Sequence, residues 1–208
     1  MTGKILPFRA RAPRARLRQA QQQHELVRVW RGELEHGSFC GYVAGVGREF
    51  FLLRVIGDGL TDEGLYAMRH RDVTELEAPE AHHRFIEQAL AIKHIVPHLP
   101  TAFPLDAVND VVAAAAERVP VMGVHVDSEE DAEVCYIGRL VDCTAEGFQL
   151  QEIDLDARWL DEPSFFAWDE VSTLSMHDPY AQSLLAVAGN APPLKQVDDN
   201  DGGRDHGS

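Results

Sequence analysis

Histidines are the first residues in this sequence whose type and spacing could do chemistry, because ten of them invite a metal site. His94 and His98 have the i, i+4 spacing with which two helical histidines can hold one zinc ion. Pro97 lies between them and disturbs the helix that this spacing needs. His82 and His83 are adjacent, and successive helix positions point about 100° apart, so the pair does not share an ion easily. We therefore predict no metal ligand and expect these histidines to be solvated.

Carboxylates are the second group, and they cluster in DSEEDAE at 127–133 and in DLDARWLDEP at 154–163. A pair of acids could do general acid–base work if burial separated their pKa values. Acid runs in loops are usually solvated, and the second run lacks the glycine and the ligand spacing of a calcium-binding EF-hand loop. No nucleophile elbow, phosphate-binding loop, dinucleotide fingerprint or Cys-x-x-Cys pair occurs. We predict no catalytic residue and no cofactor, and we favour a function other than catalysis.

Aromatic side chains are the remaining candidates for binding a partner. Trp159, Phe165, Phe166 and Trp168 cluster around the second acidic run, whereas the stretch 57–70 contains only Tyr66. Tryptophan and tyrosine dominate the hot spots of protein interfaces, and small β domains often bind peptides in aromatic grooves. Phe166 and Trp168 could instead be core residues of a strand, with a tryptophan covering one end of the domain. We predict partner binding at Trp159, Phe165, Trp168 and Tyr66.

The elements that position these residues occur twice along the chain. With a constant shift of 97 residues, Gly41 matches Gly138 and Phe51 matches Phe148, and no gap is needed from Val27 to Ile56. Each copy has a first strand, a two-strand unit around a turn, an acidic loop, short strands and a terminal helix. The strands show apolar residues at every second position, which is typical of a half-buried sheet. The repeat therefore predicts two similar β-rich modules.

Five short strands with a glycine early in the second strand resemble small SH3-like barrels and, among these, the Sm-like family. The stretches GYVAGVGREFFLLRVI at 41–56 and GRLVDCTAEGFQLQEI at 138–153 are similar to the first motif of that family, and the resemblance covers about 50 residues in each half. It implies a barrel. Sm-like RNA binders usually carry asparagine at the turn, where this sequence has Phe50 and Gly147, so the resemblance does not support RNA binding. The helix of that family usually precedes the strands, whereas each copy here is expected to end in one.

These patterns predict a mainly β fold with helices (α+β), built as a tandem pair of small SH3/Sm-like barrels, each followed by a helix. The predicted segments are a disordered basic arm over 1–23, the first barrel repeat with its helix over 24–93, a proline-rich linker and helix over 94–119, the second barrel repeat with its helix over 120–189, and a disordered tail over 190–208.

The charge of the chain bounds its partners. The net charge is −15, yet residues 1–23 contain six basic residues and no acid. An acidic surface repels nucleic acid phosphates and anionic lipids, so we expect nucleic acid contact only through the arm that contains Arg9–Arg18. No apolar run is long enough to cross a bilayer, and we expect no membrane partner. The three cysteines, Cys40, Cys135 and Cys143, fall in apolar strand patterns, which favours buried thiols in a reducing cytoplasm.

We therefore predict a non-enzymatic cytoplasmic binding or adaptor protein built from two duplicated β-barrel modules, whose partner is a protein or peptide. A homodimer through exposed strand edges is a further possibility, because small open sheets must hide their edges. Two alternatives stay open: a metal-dependent hydrolase that uses His and Asp side chains, and a nucleic-acid-associated protein that acts through the basic N-terminal arm.

Overall fold

A computed structural model describes residues 12–34, 37–100, 102–127 and 134–194. The strands in these residues are β1 (Leu26–Trp30), β2 (Ser38–Val46), β3 (Phe50–Ile56), β4 (Asp62–Arg69), β5 (Glu75–Glu77), β6 (Met122–Val126), β7 (Cys135–Cys143), β8 (Gly147–Glu152), β9 (Ser164–Ala167) and β10 (Val171–Met176). The helices are α1 (Ala12–Gln23), α2 (His83–Ile92), α3 (Val108–Ala116) and α4 (Pro179–Ala188), with a 3₁₀ turn at His70–Asp72.

The ten strands form one antiparallel sheet in the order β5-β1-β2-β3-β4-β10-β6-β7-β8-β9. This order contains the same run twice, because β10-β6-β7-β8-β9 repeats β5-β1-β2-β3-β4. We call the first run, β1 to β5, the first copy and the second run, β6 to β10, the second copy. The mixed α+β fold is confirmed. The two copies do not form two separate closed barrels, however, because β4 pairs with β10 and joins them into one open sheet.

Both copies bend at the same place in their second strand. The register between β2 and β3 shifts between Val43 and Gly45, and the register between β7 and β8 shifts at the equivalent place, between Leu140 and Asp142. Such bulges increase the local twist of a strand. Gly41 and its counterpart Gly138 begin the bend, and a Cβ atom on either would overlap a carbonyl oxygen of the next strand. Glycine is therefore required at both positions for close approach of the two backbones.

The pairing of β4 with β10 is the structural centre of the molecule, and we call it the junction. Its register places Thr173 opposite Met68, and Leu174 opposite Ala67. Every residue of β10 is buried. The largest core cluster contains residues of both copies, such as Leu52 of β3 and Leu150 of β8. The two copies therefore share one hydrophobic core.

Helices cover the sheet before and after each copy. Leu17 and Ala20 of α1 are buried against the first copy, and Val112 and Ala115 of α3 are buried in the shared core. The structure therefore differs from the expected disordered arm over 1–23: residues 12–23 are helical, and residues 1–11 lie outside the described residues. The expected tail over 190–208 is described only to residue 194.

The two terminal helices also dock in equivalent ways. In the first copy, α2 packs against Cys40 and Ile56, and in the second copy, α4 packs against their counterparts Ile137 and Ile153. Asp178 caps α4, because its Oδ1 accepts a hydrogen bond from the backbone amide of Ala181 at 2.9 Å. The described helices include none that combines the length and apolarity needed to cross a membrane.

The three cysteines differ in the burial of their thiols. Cys40 lies inside β2 and is buried, and this burial raises the pKa of its thiol to about 11. Cys135 and Cys143 are the first and last residues of β7 and are exposed as residues. The Cys135 thiol nevertheless lies beside Gly123 and Ser175, and its desolvation raises its pKa to about 12.

Candidate functional site

A cleft of about 500 Å³ lies beside the junction and is lined by both copies. We call it the junction cleft. Its first wall is the end of β4, with Arg69, His70 and Arg71, and its second wall includes Trp168 and Asp169 from the turn between β9 and β10. These two walls are equivalent segments of the two copies, at a sequence shift of 98. The cleft is thus a place where the copies meet and where their sequences differ in chemistry. The rest of the lining consists of Val108 at the start of α3, Arg48 and Glu49 from the turn between β2 and β3, Phe50 of β3 and Val171 of β10.

Trp168 is held in a defined position. Its indole Nε1 donates a hydrogen bond to the carbonyl oxygen of Thr144 at 3.2 Å, and its ring lies 5.2 Å from the ring of Phe148. Its backbone amide donates to Glu146 at 3.2 Å. An aromatic side chain that is fixed on one side and partly exposed on the other is the usual form of an interface hot spot.

Arg69 ties the two copies together beneath the cleft. Its Nε donates to Asp72 Oδ2 at 2.6 Å, its Nη2 to Asp127 Oδ2 at 2.8 Å and its Nη1 to the carbonyl oxygen of Asp169 at 3.0 Å. The Arg69 side chain is only 7% exposed. Arg71 donates to the same carbonyl of Asp169 at 3.2 Å, but its side chain is 63% exposed. Arg69 is therefore a structural residue, and Arg71 is available to a partner.

His70 is neutral in this environment. Burial lowers the pKa of its imidazole, and the positive charges of Arg14 and Arg18 lower it further. Its Nε2 lies 3.3 Å from the carbonyl oxygen of Gly47, which can only accept, so the proton is on Nε2. The other ring nitrogen, Nδ1, is buried without a hydrogen-bond partner. The cleft wall therefore contains an imidazole whose Nδ1 is buried without a hydrogen-bond partner.

The rim of the cleft balances its charges. Arg48 and Arg71 are exposed cations, and Glu49 and Asp169 are exposed anions. The turn that carries Arg48 is anchored to the segment just before α3, because the Arg48 backbone amide donates to Asp106 Oδ1 at 2.6 Å. On a chain with a net charge of −15, this balance removes the repulsion that an acidic partner meets elsewhere.

The four predicted binding residues do not come together. Trp168 lines the junction cleft. Phe165 is 51% exposed and lies on β9, where it alternates with the buried Phe166 and so faces away from the core. Trp159 packs beside α4 and donates from Nε1 to the carbonyl oxygen of Gly189 at 3.0 Å. Tyr66 lies within the junction.

Tyr66 has a structural environment. Its hydroxyl donates to Asp178 Oδ2 at 2.9 Å, and its ring lies 5.5 Å from that of Phe39. Burial and the neighbouring Asp178 carboxylate raise the pKa of the phenol far above its usual value. Tyr66 therefore links β4 to Asp178, the cap of α4.

The sequence reasoning missed Arg48, Arg71 and Val108 as lining residues. One signal could have found part of the cleft, because the repeat aligns Arg69-His70-Arg71 with Ala167-Trp168-Asp169. At these three consecutive positions the two copies differ in the charge or size of the side chain, where the equivalent strands β4 and β9 end. The contribution of α3 is not visible in that alignment, since it depends on packing between distant segments.

A second cleft of about 660 Å³ lies at the other end of the junction, and Arg54, Arg118 and His177 are among its lining residues. Arg54 is ion-paired with Asp62, and its Nε is buried without a hydrogen-bond partner. Burial lowers the pKa of His177, and the nearby Arg54 lowers it further. The lining of this second cleft also includes His98, Pro100 and Phe103 from the segment between α2 and α3.

Within the described residues, no group of three or more His, Cys, Asp or Glu side chains is placed so that it could hold a metal ion. His94 and His98, the i, i+4 pair, are also not helical, because α2 ends at Ile92 and His94 adopts a left-handed backbone conformation with a φ of 56°.

Comparison with protein-family models, with curated proteins and with solved structures finds no match.

Proposed function

We propose that this chain is a non-enzymatic cytoplasmic binding or adaptor protein that holds a segment of a partner protein in the junction cleft, with Trp168 as the anchor. The observation that carries the proposal is the fixed indole of Trp168 in a cleft of about 500 Å³ that both copies build. The repeated strand order supports an origin by duplication of one SH3/Sm-like module.

Preorganisation supports binding at this place. Arg69 holds the two walls together, and Trp168 is fixed by Thr144 and Phe148 before any partner arrives. A partner that inserts a side chain loses conformational entropy of its own but orders few side chains of this protein. The smaller entropy cost favours a higher affinity.

The lining defines what the partner segment should present. Trp168 and Val108 offer an apolar surface for one aromatic or aliphatic side chain. Arg71 and Arg48 offer exposed guanidinium groups that can bind a carboxylate or a backbone carbonyl of the same segment. We therefore expect a peptide with an apolar anchor residue and an acidic residue close to it in sequence.

Selection from a random peptide library, followed by calorimetric titration of one selected peptide, tests the proposal. We expect Trp168→Ala to weaken binding about 30-fold, which corresponds to a hot-spot loss of about 2 kcal/mol. Arg71→Gln should weaken acidic peptides more than neutral ones. Trp159→Ala is the matched control, because it removes a tryptophan of similar exposure away from the cleft, and it should change the affinity less than about twofold.

The opposite pattern counts against the proposal. If Trp159→Ala or Phe165→Ala abolishes binding while Trp168→Ala does not, the binding face lies on the outer strands of the second copy. Circular dichroism of each variant separates loss of binding from loss of fold. Salt-sensitive binding of DNA or RNA that disappears on deletion of residues 1–11 would favour the nucleic-acid alternative.

A further inference from the structure

The second cleft, at the end of the junction away from Trp168, combines cations with apolar surface. Its volume of about 660 Å³ lies within the usual range of small-molecule sites, roughly 300–1,000 Å³. Apart from histidines, its charged lining residues are Arg54, Arg118 and Asp62. Two cations and one anion leave one net positive charge in this cleft, on a chain whose net charge is −15. Such a cleft attracts an anion.

Arg54 of β3 is held in place by Asp62. Its Nη2 donates to Asp62 Oδ2, and Asp62 Oδ1 accepts a hydrogen bond from the backbone amide of Gly64 at 3.1 Å. The Arg54 side chain is only 13% exposed, so its guanidinium is largely desolvated. The ion pair uses one contact of a group that has five N–H donors. A second anion can therefore bind the same guanidinium.

The second copy shows that the fold does not require a cation at this position. At a shift of 97 residues the counterpart of Arg54 is Gln151, and their strand partners, Tyr42 and Arg139, match by the same shift. The Gln151 amide is buried and satisfied, because Nε2 donates to the carbonyl oxygen of Leu160 at 3.0 Å and Oε1 accepts from Arg139 Nε at 2.8 Å. A buried ion pair is often no more stabilising than a neutral alternative. The charge of Arg54 therefore has a reason other than folding.

Arg118 provides the second cation of the cleft. Its Nη1 donates to the carbonyl oxygen of Ala114 at 2.6 Å, and its Cζ lies 5.0 Å from the centre of the Phe103 ring. These contacts position the guanidinium, yet the side chain is 39% exposed. Glu117, its acidic neighbour, is 3.9 Å away and 79% exposed, and exposed pairs of this kind are weak. Arg118 can therefore bind an anion in the cleft without losing a strong ion pair.

The rest of the lining determines the kind of anion. Three side chains supply apolar surface, namely Leu65, Phe103 and Met176. His177 adds no charge at neutral pH, because burial lowers the pKa of its imidazole and the nearby Arg54 lowers it further. The Asp62 carboxylate repels additional negative charge. A monoanionic carboxylate therefore fits better than a phosphate monoester, which carries about −1.5 to −2 at neutral pH.

We propose that the second cleft binds a small organic monocarboxylate, whose carboxylate lies between Arg54 and Arg118. The apolar body of this acid lies against Leu65, Phe103 and Met176. The site depends on the joining of the two copies, because Leu65 of β4 pairs with Met176 of β10 at this end of the junction. The two clefts share no lining residue, so this proposal goes beyond the binding of a partner protein and is independent of it.

Isothermal titration calorimetry of the full chain with phenylbutyrate tests the proposal, and the uncharged phenylbutyramide is the matched probe. We expect one phenylbutyrate per chain, bound at least about tenfold more tightly than the amide. Arg54→Gln, which copies the amide of the second copy, and Arg118→Gln should each weaken binding at least about tenfold. Arg158→Gln is the control, because it removes the same charge from a side chain that is 75% exposed outside the cleft; it should change the affinity less than about twofold.

Methyl NMR signals of the methionines locate the bound acid. We expect the Met176 signal to shift in proportion to saturation, while the indole signal of Trp168 stays in place. The proposal is overturned if phenylbutyrate does not bind with a Kd below about 10 mM, or if the amide or either arginine variant binds as tightly. A shift of Trp168 with an unchanged Met176 also overturns it, because the acid would then lie in the junction cleft.

Circular dichroism checks that each variant folds. Should Arg54→Gln not fold, the double variant Arg54→Gln/Asp62→Asn removes both charges of the ion pair and leaves no carboxylate without its cation. Together with Arg118→Gln, it gives the same decision.

Discussion

Replacing Arg69 with methionine removes the hydrogen bonds that join the first copy to the second beside the cleft. Methionine keeps much of the length and apolar volume of the arginine stem, so the change isolates the guanidinium. Asp72 loses its closest cation, and the carbonyl oxygen of Asp169 loses one of its two donors. The exposed Arg71 lies 3.7 Å from Asp72 and can compensate only in part.

The expected loss of stability follows from the burial of each partner. The Asp72 side chain is 8% exposed, and removing the cation from such a buried pair costs about 3–5 kcal/mol. Asp127 is about half exposed, and an exposed pair adds only about 0–1 kcal/mol. Since Arg71 gives partial compensation, we expect Arg69→Met to lower the free energy of unfolding by about 3 kcal/mol.

Urea denaturation followed by far-UV circular dichroism measures this loss. Arg71→Met is the control and should cost less than about 1 kcal/mol, because its side chain is exposed. Adding Asp72→Asn to Arg69→Met should recover about 1–2 kcal/mol, since the amide carries no charge to leave unpaired. If Arg69→Met costs no more than the control, the buried guanidinium of Arg69 does not stabilise the fold beside the cleft.

Three further predictions concern the frame around the cleft. Gly41→Ala should lower the free energy of unfolding by about 2–3 kcal/mol, because the new Cβ overlaps the Arg54 carbonyl. Gly32→Ala is the control and should cost little, because its Cβ has room. Urea denaturation compares the two variants, and equal losses would contradict the close approach at Gly41. Leu17→Ala should cost about 3 kcal/mol in thermal or urea unfolding if α1 is docked, and nothing if it is not. Burial lowers the pKa of His125 to about 4, so the unfolded chain takes up a proton at this histidine before the folded chain does as the pH falls below 6.5. The free energy of unfolding should therefore drop by about 2 kcal/mol between pH 7 and pH 4.5. His125→Gln should remove that part of the drop.

The repeat in the sequence predicts much of the fold because local patterns determine single strands and bends. The alternating stretches at 41–56 and 138–153 correspond to β2–β3 and β7–β8, and both contain the bulge at equivalent positions. The pairing that joins the two copies into one sheet could not be predicted from local patterns. It depends on pairing between Leu65–Met68 and Thr173–Met176, which lie more than a hundred residues apart. Period-two alternation says nothing about which edge a strand will join.

The helix α1 shows where the local signal was too weak. Pro13, Leu17 and Ala20 are its buried apolar residues, and most of the other residues are arginine and glutamine. A short helix of this kind is stabilised by tertiary packing rather than by propensity, so its sequence resembles a disordered arm. The same reason explains the candidate site. Aromatic residue type pointed to Trp168, but burial and hydrogen bonding separate it from Trp159 and Tyr66.

The most direct test of the central claim is an NMR titration with a selected peptide that follows the indole N–H signals of the chain's three tryptophans, Trp30, Trp159 and Trp168. Signals are assigned by substituting one tryptophan at a time. We predict that the Trp168 signal shifts in proportion to saturation, while the Trp159 signal stays in place. A shift of Trp159 with an unchanged Trp168 would contradict binding in the junction cleft.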